Sequence, residues 1–107
     1  MQKETATFNF SDSRNGQLNE SFLTQFGEIA KIALERALGI SDINVLLKGS
    51  RGEVESFYKT IQGEKTYLEN YLKYGLNNPS TYKSKSYLEN AIKNFERNSN
   101  LKWPFKD

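Results

Sequence analysis

The groups able to carry acid–base chemistry in this chain are carboxylates, because the sequence contains neither histidine nor cysteine. Histidine is the usual general base near neutral pH, cysteine is the usual thiol nucleophile, and both are the standard zinc ligands. That leaves Glu28, Glu35, Glu64, Glu69, Glu89 and Glu96. Each falls on the expected surface of a helix, as a solvated face and not as a paired acid and base. The expectation is a chain with no catalytic residue, no metal ligand and no cofactor, hence not an enzyme. Gly49-Ser50-Arg51-Gly52 precedes a helix start, where free N–H groups favour anions. It lacks the Gly-Lys-Ser or Gly-Lys-Thr of a phosphate-binding loop, so an ordinary loop is the simpler expectation.

Residues suited to contact are better represented. The chain ends Leu101-Lys102-Trp103-Pro104-Phe105, an extended apolar tail. Trp103 and Phe105 are of the types that dominate binding hot spots, although the same pair could simply close the core. A second segment, Tyr82-Lys83-Ser84-Lys85-Ser86-Tyr87, mixes basic, hydroxyl and aromatic side chains beside an expected helix start. Lys83 and Lys85 suit phosphates and Tyr82 suits stacking on a base, but two lysines make a small electrostatic footprint. A solvated helix start is the plainer account. Trp103, Phe105, Tyr82, Lys83, Lys85 and Tyr87 are therefore the partner-binding candidates, with the tail ranked first.

The elements that must position these residues follow from periodicity and breakers. The length of 107 residues fits one domain. It divides into a strand-and-loop segment over 1–18, a helical core over 19–98 and the tail over 99–107. Thr5 to Phe10 alternates, so Phe8 and Phe10 share a strand face. Ser11 to Gly16 is a cluster of turn formers ending in Asn15-Gly16. Asn19 or Ser21 caps a long central helix whose stripe is Phe22, Phe26, Ile29, Ala30, Ala33 and Ala37, widened by Leu23, Leu34 and Leu38. Gly39 suits its C-terminal end. Ser41-Asp42 offers a cap for a short turn, and Ile43 to Leu47 fits either a strand pairing with residues 5–10 or one buried helical turn.

Ser50 and Glu53 have the spacing of a capping box, so a helix starts there. Val54, Phe57, Tyr58 and Ile61 form its stripe, continued by Leu68, Tyr71 and Leu72. Glu64-Lys65 occupies the slot that should be apolar, directly after Gly63, which predicts a kink or break near Gly63. Gly75 ends the second half, and Asn77-Asn78-Pro79-Ser80 is expected as a loop. The last helix is expected from about Tyr82 or Lys85 to Arg97, with Leu88, Ala91, Ile92 and Phe95 as its face. Tyr67-Leu68-Glu69-Asn70 recurs as Tyr87-Leu88-Glu89-Asn90. Two copies are too few for a repeat array, so a helical hairpin is the simpler account. The alternative is a pseudo-symmetric pair presenting Glu69, Asn70, Glu89 and Asn90 to one ligand. The fold class expected is mainly α: a small bundle of a long central helix against a helical hairpin, with or without a short N-terminal strand pair according to which way residues 43–47 fold.

Bulk properties agree. There are 7 Phe, 6 Tyr and 1 Trp, more aromatic anchors than a disordered chain carries. Residues 1–53 hold 6 basic and 7 acidic side chains and residues 54–107 hold 9 and 6, a mild tilt of the second half toward anionic partners. The first residues lack the apolar run of a signal peptide, and no stretch approaches the roughly 20 apolar residues of a membrane span. The expected setting is the cytoplasm or a larger particle, away from membranes.

The opening Phe8-Asn9-Phe10-Ser11-Asp12-Ser13 carries a likeness, as do Tyr74-Gly75-Leu76 with Pro79, Asn94-Phe95-Glu96-Arg97 and Trp103-Pro104-Phe105. With these the chain resembles small uncharacterised proteins of tailed bacteriophages, some of them virion components. The resemblance implies a structural or accessory protein, in the virion or the host cytoplasm, with no catalytic residues to carry over. The leading expectation is a non-enzymatic protein that binds other subunits or itself. The alternatives are a small nucleic-acid-binding or regulatory protein acting through Tyr82 to Tyr87, and an inhibitor of a host enzyme.

Overall fold

Phe8 and Phe10 decide how the chain begins. The computed structural model describes residues 4–11 and 20–105. Strand β1 (Thr5–Asn9) pairs in parallel with β2 (Asn44–Lys48), joined through helix α1 (Glu20–Ala37). The register sets Ala6 beside Val45 and Phe8 beside Leu47, so one face of the two-stranded sheet is apolar. That face packs into the core, while Thr5, Thr7, Leu46 and Lys48 are exposed. The run left open between strand and helical turn thus forms a strand over Asn44–Lys48, with Ile43 just before it. Ser41 does not cap a helix; its hydroxyl accepts the Ile43 N–H at 3.2 Å and shapes the entry to β2.

Helix α1 buries Phe22, Phe26, Ile29, Ala30 and Ala33, the stripe expected from spacing. Ser21 lies inside its first turn instead of capping it; Asn19 and Asn15-Gly16 fall outside the described residues. Gly39 ends the helix at φ 80°. Its N–H donates to the Arg36 carbonyl at 3.1 Å and the Ile40 N–H to the Glu35 carbonyl at 3.0 Å, the paired bonds of a Schellman motif.

Helix α2 (Arg51–Tyr74) and helix α3 (Pro79–Ser99) form an antiparallel hairpin. Its sense follows from contacts pairing Thr60 with Ala91 and Asn70 with Thr81 and Ser84. The capping box is complete: Glu53 N–H donates to Ser50 Oγ at 3.1 Å, and Ser50 N–H to Glu53 Oε1 at 2.8 Å.

Of the kink or break expected near Gly63, the break does not occur; α2 is one helix through it. A Cβ there would sit 3.3 Å from Leu88 Cδ1, so the glycine admits α3 at close range instead of ending α2. The second correction concerns α3, which starts at Pro79 and not at Tyr82 or Lys85. Asn78 is its N-cap, accepting the Ser80 N–H at 2.9 Å, and Pro79 takes the first helical turn, where its missing N–H costs nothing. What had the composition of a loop is a helix start.

The core lies where these elements converge. Six of the seven phenylalanines are buried, and Trp103 joins them. Phe26 stacks on Phe95, with centroids 5.5 Å apart and planes 6° from parallel, while Phe10, Phe57 and Trp103 meet their neighbours edge-on. Edge-to-face contact suits the ring quadrupole and adds about 0.5–1.5 kcal/mol per pair beyond area burial. The architecture is mainly α, a strand–helix–strand unit packed on a helical hairpin.

Candidate interaction surface at the hairpin tip

The apolar stripe of α2 runs further than the core does. Phe57, Ile61, Leu68 and Leu72 recur at steps that keep one helical face, with Glu64 between them. Phe57 and Ile61 are buried, Leu68 is half-buried, and Leu72 is 75% exposed. Every fully buried α2 residue lies at or before Glu64. Helix α2 has 24 residues against 18 in α1, about 36 Å against about 27 Å, so the hairpin overhangs the body that covers its base.

At this overhang the hairpin is polar inside and apolar outside. The seam between its helices is closed by small polar groups. The Thr81 hydroxyl donates to the Gly75 carbonyl at 2.7 Å and lies 3.3 Å from the Asn70 carbonyl. The Asn70 side-chain amide donates to the Ser84 hydroxyl, which donates to the Ser80 carbonyl at 2.9 Å. These bonds tie the two helices together near the tip. Tyr71, Leu72, Tyr74, Leu76 and Tyr82 are left in solvent. Tyr67 and Tyr71 lie with ring centroids 6.4 Å apart, and the Lys73 ammonium sits 5.2 Å from the Tyr74 ring centroid. Tyr67, Leu76, Asn77, Thr81, Tyr82 and Lys85 line an open hollow of about 250 Å³.

The sequence candidates separate into two groups. Trp103 is 4% exposed and belongs to the core, so the tail closes the fold and Trp103 presents no free face. Its indole N–H donates to Glu64 Oε1 and its backbone N–H to Glu96 Oε2, both at 2.9 Å. Phe105 is half-buried, edge-on to Trp103 at 5.8 Å. Tyr82, Lys83, Lys85 and Tyr87 lie within α3, not before it. Tyr82 and Tyr87 are 62% and 53% exposed, Lys83 is exposed and Lys85 half-buried. Only Tyr82 and Lys85 share the tip hollow.

Sequence reasoning missed Tyr71, Leu72, Tyr74 and Leu76 as surface residues. Spacing placed Tyr71 and Leu72 on a stripe, and a stripe says nothing about how far its covering helix extends. The two Tyr-Leu-Glu-Asn copies also diverge. Leu88 is fully buried where Leu68 is not, and Asn70 is bonded in the seam where Asn90 is exposed, so no symmetric ligand pair forms.

Of the remaining chemical candidates, Glu28, Glu69 and Glu89 are exposed, while Glu64, Glu96 and the Ser50-Arg51 pair are engaged locally. Glu64 is buried against the indole and is not part of a solvated face. Arg51 reaches Glu55 at 2.7 Å, and this hydrogen bond, reinforced by charge attraction, raises the Arg51 pKa and lowers that of Glu55. At the start of α2 the Arg51 cation is thus paired with a carboxylate and the Ser50 hydroxyl serves as the cap. Among the described residues no group of three or more His, Cys, Asp or Glu is placed to hold a metal ion, and no helix is long and apolar enough to cross a membrane. The fold and surface together define a small, mainly helical domain with a projecting hairpin. No family model matches the chain, and no curated protein or solved structure shows significant similarity to it.

Proposed function

We propose that this chain is a non-enzymatic interaction protein that docks onto another protein through the tip of its α2–α3 hairpin. The observation that carries this reading is the inverted tip: its seam is hydrogen-bonded and polar, while Leu72 and Leu76 stand 75% and 56% exposed and Tyr71, Tyr74 and Tyr82 are exposed at the same end. Tyrosine and leucine at one projecting end offer apolar area that folding does not use, and removing such area from water drives association. The resemblance to small tailed-phage proteins extends the proposal to a virion or assembly component working among other subunits. The tail residue Phe105 stands second to the tip, because most of the tail's apolar area is already spent on the core.

Immobilised protein and its Leu72→Asp variant, each offered the lysate of cells that make it, test this reading. A defined protein retained by the parent and lost from the variant is the expected result. Identical retained proteins on both would contradict it.

A further inference from the structure

The charge at the tip specifies the partner further, granted that the tip is the docking surface. Between residues 65 and 87 the chain carries Lys65, Lys73, Lys83 and Lys85 against the single acidic residue Glu69. Outside this stretch basic and acidic residues nearly balance, 11 against 12; Glu64 adjoins Lys65 and Glu89 shares a hollow with Lys85, so the uncompensated cations of the tip are the exposed Lys73 and Lys83. Lys73 and Lys83 are exposed and Lys85 borders the same hollow as Tyr67, Leu76 and Tyr82. Hydrophobic anchors and cations are thus interleaved on one projection.

We infer that the tip receives an acidic amphipathic segment of a different protein, its apolar side chains seated on Leu72, Leu76 and the tyrosines and its carboxylates facing the lysines. Charge complementarity excludes wrong partners as much as it attracts the right one, since like charges brought together cost several kcal/mol. A second copy of this chain meeting tip to tip would bring Lys73 and Lys83 of both copies together, which disfavours the symmetric dimer. A nucleic acid is the other anionic candidate, and the aliphatic residues argue against it. The exposed tyrosines could stack on bases, but Leu72 and Leu76 offer no such face, and the stretch contains no arginine, the side chain best matched to phosphate.

Photocrosslinking from the apolar anchor tests this. The full chain with p-benzoylphenylalanine in place of Leu72 is irradiated in lysate of the producing cells, alongside the same chain bearing Lys73→Glu and Lys83→Glu. Both lysines are exposed, and the Tyr74 ring that Lys73 faces is itself exposed, so the fold should survive the reversal, which circular dichroism verifies. The expected result is one defined protein adduct that falls at least tenfold on charge reversal and falls again as salt is raised. Mass spectrometry of the adduct should place the crosslink in a segment with more acidic than basic residues. An adduct that survives charge reversal, maps to a neutral or basic segment, is removed by nuclease, or has the mass of two copies of this chain overturns the acidic-partner inference and leaves tip contact standing. No adduct at position 72 overturns both.

Discussion

Trp103 and Glu64, 39 residues apart in sequence, meet through a 2.9 Å hydrogen bond from the indole N–H to the carboxylate. The bond joins the end of the chain to the middle of α2 and accounts for a charged residue inside an apolar stripe. Burying a carboxylate without donors is costly, and burying an indole N–H without an acceptor is costly too. Trp103→Phe keeps most of the ring and deletes the donor. Urea denaturation should show a loss of about 1–3 kcal/mol, the cost of withdrawing one partner from a buried polar group. Glu64→Gln keeps an acceptor and should lose less. If Trp103→Phe is as stable as the parent, the bond is not holding the tail.

Ser50→Ala removes the hydroxyl that receives the Glu53 N–H at the start of α2. The expected cost is about 1 kcal/mol. Chemical denaturation measures it, and an unchanged midpoint would show that Glu53 alone suffices to cap the helix.

Two glycines should respond in opposite directions to alanine. At Gly49 a Cβ would lie 2.9 Å from both Phe10 Cβ and Glu53 Oε1, so Gly49→Ala should destabilise by about 1–3 kcal/mol. At Gly27, within α1, a Cβ would meet nothing within 4 Å, and Gly27→Ala should stabilise by up to about 1 kcal/mol through helix propensity. Thermal melts of the two variants beside the parent decide both signs.

Leu72→Asp should leave folding nearly untouched. The side chain is 75% exposed, so the cost is limited to helix propensity, about 0.5 kcal/mol. A loss above about 2 kcal/mol would place Leu72 in the core, as a buried leucine would behave. That result would remove the basis for calling the tip surplus to folding.

How much of this was legible from residues alone varies with the range of the interaction. The Phe22–Ala33 stripe, the Ser50–Glu53 box and the Gly39 terminus are set by neighbours three to five positions away, and spacing suffices to find them. The hairpin followed from two amphipathic patterns joined by a short connection. Gly63 and Pro79 were misjudged because each has two physical uses. A glycine loosens a helix or admits a neighbour, and only the nearness of Leu88 shows which. A proline stops one helix or begins another, and the Asn78 side chain, bonded to the Ser80 N–H, shows which. The role of Glu64 was hidden because its partner lies at the far end of the chain. The tip was half visible: Tyr82 and Lys85 were singled out by type. Tyr71 and Leu72 were assigned to a buried stripe because the overhang depends on α1 being shorter than α2.

Amide hydrogen exchange on the parent chain, with and without the protein it retains, tests tip docking most directly. Exposed helix ends open readily, so a bound partner should slow exchange there most. The account predicts new protection in peptides covering residues 67–87 and little change over the strands. Protection confined to the tail at 101–105 or to β2, with the tip unchanged, would contradict it.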